Sequence, residues 1–207
     1  MVIYDYETEI KQYHHALVDY PDNTIILNKL NYRLTKWAEQ VDIVFYGANN
    51  EQKGYTTDNV GYPVLPMPTK KESSFRQTSD YLCYLPQYKK ITGVLWERKS
   101  KEDWYNTIIH DSERFYNECR RSQNDPDCHI MIVGVESTAQ HFLTYRPRGK
   151  QGATLQSRHA LCESLSPKFG YKIVIRWHNG RKATIEDMIK QNRMWIKYNY
   201  KSILKLE

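Results

Sequence analysis

The alternation of apolar and polar positions divides the chain into helices and strands before any chemistry is considered. Ile10, Tyr13, Leu17 and Tyr20 recur at helical spacing over residues 5–20, and Pro21 marks the stop. Ile26, Leu27, Leu30, Leu34 and Trp37 follow at i+3 and i+4, with Asn23 or Thr24 able to cap the helix start. The period then changes. Val41 to Tyr46 reads as a strand that ends in a turn at Gly47-Ala48-Asn49-Asn50. Residues 52–79 hold several Gly and Pro and a polar run from Thr69 to Ser79, the composition of a long loop. Tyr81 to Leu85 is a short strand, Lys89-Lys90 a turn, and Ile91 to Lys99 the next strand. Helical patterns cover Lys101 to Ile109 and Ser112 to Ser122, the second with Phe115 and Cys119 facing one way, and Asn124-Asp125-Pro126-Asp127 breaks the chain. His129 to Val135 is a continuous apolar run, the mark of a central strand buried on both faces. A basic, acid-free loop from Thr144 to Arg158 leads into a helix through Leu161 and Leu165, with Gly170 as its C-cap. Tyr171 to Trp177 alternates as a strand, and a final helix runs from Thr184 through Ile185, Met188, Ile189, Met194 and Ile196.

This order predicts an α/β fold with a mixed sheet covered on both faces. At 207 residues the chain reads as one domain. Residues 1–40 are expected as a helical extension ahead of a main domain of residues 41–207. The 17 Tyr and 5 Trp argue against disorder, which is poor in aromatics. The longest apolar run, Ile130 to Val135, is far short of a membrane span. The start carries Asp5, Glu7 and Glu9 and no apolar signal-peptide region, so no membrane partner and a cytoplasmic setting (the nucleus or a host cell, if eukaryotic or viral) are expected. Cys83, Cys119, Cys128 and Cys162 lack CxxC spacing and read as reduced thiols.

Charge sharpens the picture. The net charge is +6, but Ser137 to Lys182 holds nine Lys/Arg against one acid, Glu163, so this segment exceeds the surplus of the whole chain. A polyanionic partner is expected to meet this half. The densest chemistry lies in Val94-Leu95-Trp96-Glu97-Arg98-Lys99-Ser100-Lys101-Glu102-Asp103-Trp104. Period-2 alternation puts Leu95, Glu97 and Lys99 on one face of the strand and Val94, Trp96 and Arg98 on the other. Ser100 reads as a helix N-cap with Asp103 three residues on, in a capping-box-like pattern. Arg98, facing away, is expected to pair with Asp103 or Glu102. Asp80 stands at the entrance of the neighbouring strand, with 16 residues between it and Glu97. Two carboxylates on adjacent strands can share one hard cation, with waters and phosphate oxygens completing its octahedron. Such an ion activates a water and stabilises charge developing on a phosphodiester. Lys99 then contacts the phosphate or orients the attacking water.

Ser79-Asp80-Tyr81 followed by Glu97-Arg98-Lys99-Ser100-Lys101-Glu102-Asp103 resembles the nuclease domain of the XPF/Hef type, whose signature is G-D-x(n)-E-R-K-x-x-x-D, within the PD-(D/E)xK restriction-endonuclease-like superfamily. The second half matches in full; Ser79 replaces the usual Gly. Arg114-Phe115-Tyr116-Asn117-Glu118 resembles the family's R-L/F-Y-x-Q segment, with Glu118 in place of Gln, and His129 to Glu136 resembles its following central strand. The resemblance implies a restriction-endonuclease-like mixed central sheet flanked by helices. It implies a metal-dependent DNA endonuclease selective for branched or flapped DNA in repair, recombination or replication. Asp80, Glu97, Lys99, Arg98 and Asp103 map onto the catalytic motif, and Asp80, Glu97 and Glu51 onto ligands of Mg²⁺ or Mn²⁺. Arg114 is counted with the DNA-binding residues, as either a catalytic-face residue or a surface helix cation. Arg146, Arg148, Lys150 and Arg158 form a phosphate-tracking set. The family's D-x-R-E strand has only Ala48-Asn49-Asn50-Glu51 as its counterpart here, and no tandem helix-hairpin-helix pattern is evident, so a homodimer or a protein partner is expected to assist substrate selection. A catalytically silent DNA-binding or scaffold protein on the same fold is the alternative reading. A restriction-type enzyme cutting plain duplex at a fixed site is a third.

Overall fold

The structure, a computed structural model, describes residues 5–47, 64–66, 79–147 and 153–206. Two N-terminal helices, α1 (Tyr6–Asp19) and α2 (Thr24–Gln40), each start where a short polar side chain satisfies free backbone donors. Asp5 accepts from the Thr8 N–H at 3.2 Å, and Asn23 accepts from the Ile25 and Ile26 N–H groups at 3.1 Å. Then come β1 (Val44–Gly47), β2 (Val64–Pro66), β3 (Tyr81–Leu85), a single 3-10 turn, β4 (Lys90–Ile91) and β5 (Val94–Lys99). Helices α3 (Lys101–His110) and α4 (Ser112–Gln123) lead to β6 (Ile130–Val135). Helices α5 (Ala139–Thr144) and α6 (Leu155–Lys168) precede β7 (Ile173–Trp177), and α7 (Arg181–Tyr198) and α8 (Tyr200–Leu204) close the described chain.

The strands form one mixed sheet in the order β2-β1-β3-β5-β6-β7, with β4 attached to β3. β5, β6 and β7 run parallel, whereas β3 pairs antiparallel with both β1 and β5. The expected mixed sheet with helices on both faces is the observed fold. Alternation along β5 decides what each face receives: Val94 and Trp96 join one hydrophobic cluster, and Leu95 joins the other. The first cluster unites Ile10, Leu34 and Trp37 of the N-terminal helices with Phe45, Trp96, Ile132 and Ile196. The helical preface therefore shares a core with the sheet. His14 is buried and lies 3.1 Å from the Tyr200 hydroxyl, linking α1 to α8. The second cluster sets Trp104, Tyr105, Phe115, Cys119 and Phe142 against Leu95, Met131, Val133 and Val135. Each large apolar side chain so buried contributes roughly 1.5–3 kcal/mol before entropy is counted.

Several boundaries differ from the sequence reading. The strand expected over residues 91–99 breaks at Thr92-Gly93. There the Gly93 carbonyl accepts from the His129 and Ile130 N–H groups, at 2.9 and 3.0 Å. A Cβ on Gly93 would stand 2.1 Å from the His129 ring, so only glycine permits this approach. β2, inside the expected loop, pairs parallel to β1. The loop expected from Thr144 is shorter: α5 runs into its start, and α6 begins at Leu155, which places Arg158 inside a helix. The last long helix starts at Arg181 rather than Thr184.

Candidate active site

The antiparallel register that opposes Tyr81 to Trp96 brings Asp80 to the end of β5 beside Glu97. Two hydrogen bonds clasp them. The Asp80 N–H donates to Glu97 Oε2 at 3.2 Å, and the Arg98 N–H donates to Asp80 Oδ2 at 2.9 Å. Glu97 and Lys99, one pleat apart on the same face, are both buried, at 5% and 7% exposed, and their charged groups meet at 2.8 Å. Leu95, next on that face, is already in the second core cluster, so the strand delivers this ion pair to the rim of an apolar layer.

Where β5 ends, Ser100 starts α3 by accepting from the Asp103 N–H at 3.1 Å. The Asp103 carboxylate, half exposed, lies 3.6 Å from the Lys99 ammonium. Asp103 thus serves the helix start with its backbone and the ion pair with its side chain. Burial pushes the Glu97 carboxyl above its ordinary value, and the nearby negative charge of Glu118 acts in the same direction, against the lowering effects of Lys99 and the Asp80 N–H. For Lys99, burial alone would depress the ammonium; the charges of Glu97, Asp103 and Asp80 outweigh it and hold it above the usual lysine range. Lys99 is therefore a fixed cation.

Arg98 faces the other side of the sheet. Its partner is Glu136, at 3.2 Å, just beyond β6; the expected partners were Asp103 or Glu102. The reason is register. Lys99 opposes Val135, and the Glu136 N–H donates to the Lys99 carbonyl at 2.8 Å, so Glu136 arrives beside Arg98. Arg181, at the start of α7, approaches the same carboxylate oxygen at 3.6 Å. Next to it, Asp187 receives Arg176 at 2.7 Å and His178 at 2.9 Å.

The phosphate-tracking set is only partly brought together. Arg158 is buried, 5% exposed, and its guanidinium donates to the carbonyls of Ala153, Phe142, Leu143 and Tyr145 at 2.5 to 3.1 Å. Its expected role as a phosphate contact is corrected on this ground: its donors are already used to hold the chain between α5 and α6. Arg146 is exposed, beside a pocket of about 470 Å³ that it lines with Pro147, Thr154 and Arg158. Arg148, Lys150 and Glu51 lie outside the described residues. Arg114 is a surface helix cation, 63% exposed and 2.6 Å from Asp111. Glu118 entered the sequence reading only as a replaced glutamine. Helix arithmetic was the available signal, because it falls on the same face as Phe115 and Cys119.

The donors suited to a cation are carboxylate oxygens, the hard ligands that Mg²⁺ and Mn²⁺ accept. Asp80 and Glu97 stand on adjacent strand ends and both offer carboxylate oxygens, so the residue types present fit such an ion. Among the described residues no three His, Cys, Asp or Glu side chains form a closed ligand group, and a partial set completed by water and phosphate is the arrangement that Mg²⁺ favours.

No protein-family model and no curated protein sequence matches the chain. Among solved structures, the chain is similar to XPF from Aeropyrum pernix, with a TM-score of 0.50 and 16% identity over 76% of this chain and 67% of that chain. It also aligns with XPF from Aeropyrum pernix in complex with DNA, with a TM-score of 0.46 and 14% identity over 74% and 64% of the two chains. The first likeness establishes an XPF-like fold.

Proposed function

We propose that this chain is a metal-dependent DNA endonuclease that hydrolyses phosphodiester bonds and selects branched or flapped DNA in repair, recombination or replication. The observation that carries the reading is the Asp80–Glu97–Lys99 clasp at two adjacent strand ends, within an XPF-like fold. Asp80 and Glu97, with Glu51, would hold Mg²⁺ or Mn²⁺, which when bound supplies Lewis-acid stabilisation of a phosphoryl oxygen and an activated water. Lys99, held protonated, offers positive charge to the oxygens that become more negative in the transition state. It is no proton acceptor. Asp103 limits where the ammonium can point. Burial of the pair strengthens its field, since charges act more strongly away from water. Arg146, Arg148 and Lys150 contact backbone phosphates, giving an affinity that falls as salt rises.

Cleavage of labelled flap and fork DNA with Mg²⁺, Mn²⁺ or EDTA tests this, with the wild type beside Asp80→Ala, Glu97→Ala and Lys99→Ala and folding checked by circular dichroism. Losses of about 10²–10³-fold are expected for each variant, with no cutting in EDTA. Equal cutting by all four proteins overturns the site. Salt-sensitive DNA binding without cation-dependent cutting assigns the silent DNA-binding role instead. Cutting of plain duplex at one sequence assigns the restriction-type role.

A further inference from the structure

We infer that Arg158 is a positioning residue for DNA binding: it fixes the chain that carries Arg146 relative to the Asp80–Glu97–Lys99 clasp. The inference rests on the reading of Arg146 as a phosphate contact. Arg158 projects from α6, is 5% exposed and gathers carbonyls from two separate stretches of chain. Its Nη1 donates to Phe142, Leu143 and Tyr145 at the exit of α5, at 3.1, 3.0 and 2.5 Å. Its Nε and Nη2 donate to Ala153, just ahead of α6, at 3.0 and 2.9 Å. A planar fork with donors along its edges reaches both sets at once; an ammonium, whose three donors radiate from one point, does not.

Tyr105 of α3 backs the fork. The guanidinium carbon lies 5.1 Å from the Tyr105 ring centroid, and the Tyr105 hydroxyl accepts from the Ala153 N–H at 3.0 Å. The same ring meets Tyr145 in a T-shaped contact at 5.7 Å. Tyr145 is thus held by its carbonyl and by its ring, and the Lys101 ammonium adds a third hold, 4.7 Å from the ring centroid. Lys101 opens α3, two residues after Lys99 of the clasp, and Arg146, which is exposed, directly follows Tyr145. A chain of fixed contacts therefore runs from the clasp to an exposed cation. Capping the last carbonyls of α5 accounts for the Nη1 bonds alone. The two bonds to the Ala153 carbonyl, and the Tyr105 bond to the same residue, lie beyond α5 and tie its exit to the entry of α6.

The test measures binding of labelled flap DNA by fluorescence anisotropy in EDTA over a range of salt, with thermal unfolding in parallel. It compares the wild type, Arg146→Ala, Arg158→Lys, Tyr105→Phe and the doubles with Arg146→Ala. Arg146→Ala is expected to weaken binding about fivefold near physiological salt and to lower the salt slope by about one contact. Arg158→Lys is expected to do the same, and Tyr105→Phe to weaken binding about threefold. Neither adds a further loss in the Arg146→Ala background, because each acts through Arg146; a loss of stability alone gives no such dependence. Wild-type affinity in folded Arg158→Lys, or a loss that adds in full to that of Arg146→Ala, overturns the inference and leaves Arg158 as a cap of α5. If Arg158→Lys fails to fold, Tyr105→Phe, which keeps the guanidinium, decides by the same cycle. Wild-type affinity in Arg146→Ala overturns the inference by removing the contact it rests on, and leaves the metal-dependent reading standing, since EDTA keeps cutting out of the assay. No binding of flap DNA by the wild type overturns both.

Discussion

The two faces of β5 carry charge at the same strand end and use it differently. On one face, the carboxylates of Glu97 and Asp103 meet the ammonium of Lys99, and Asp80 donates its N–H to Glu97. On the other, each carboxylate is held by two bases: Glu136 by Arg98 and Arg181, and Asp187 by Arg176 and His178. Arg98, Gly134 and Arg176 even share one register row across β5, β6 and β7. The second network closes on itself and ties three strands to the start of α7. The first buries the Glu97–Lys99 pair at a strand end, with the half-exposed Asp103 beside it. An ion-pair network that balances internally is architecture, and the strand end that carries the Asp80–Glu97–Lys99 clasp is where the proposed chemistry lies.

The largest way to break this contrast is to remove Lys99. Lys99→Met leaves Glu97 buried without its counter-charge, and about 3–5 kcal/mol of stability should be lost in urea unfolding. The double variant Glu97→Leu/Lys99→Met should recover most of that loss, because the pair, once gone, leaves no buried charge. A single-variant cost under about 1 kcal/mol would place the pair among solvated surface bridges. A smaller effect is expected across the sheet. Glu136→Gln weakens charge-assisted contacts to Arg98 and Arg181, costing about 1–3 kcal/mol, while Mn²⁺ affinity by calorimetry stays within about twofold of wild type, a margin well below the 10–100-fold cost of losing an outer-shell partner.

The smallest effect is a pH dependence. Burial pushes the Asp187 carboxyl up, but hydrogen bonds from His178 and Gln191 and the Arg176 charge outweigh it and hold it below its ordinary value. A carboxyl depressed in the folded state adds stability that is fully present above the unfolded value of about 3.9. That stability is lost as pH falls through the folded value. The stability gap between wild type and Asp187→Asn should therefore be wider at pH 7 than at pH 3; a gap of equal size at both would show that the carboxyl is not depressed.

The sheet was legible because its signals are local. Alternation in residues 94–99 assigned Glu97 and Lys99 to one face, and the unbroken run before Val135 marked the central strand. α5 was missed because six residues followed by a basic, polar stretch carry too little period to register as a helix. β2 was missed because a three-residue strand draws its stability from pairing with β1, and its own composition does not announce it. Within the candidate site, the clasp members were visible as residue types at a spacing. Arg158 shows the limit. Its charge marked it for phosphate, yet the chain returns around it and supplies four carbonyl partners, a destination that no window of sequence contains.

By itself, then, the sequence determined the period of each element, the face that each charged side chain of β5 takes and the excess of base over acid after Ser137, because all three are properties of neighbouring residues. Tertiary structure decided the partners. The antiparallel register joined Asp80 to Glu97, the parallel register brought Glu136 to Arg98, and the packing of α4 set Phe115 and Cys119 in the cluster that holds Leu95 of β5. Those outcomes depend on which distant segments are brought into contact and what water is excluded between them. A charge has no fixed role until that environment sets its cost.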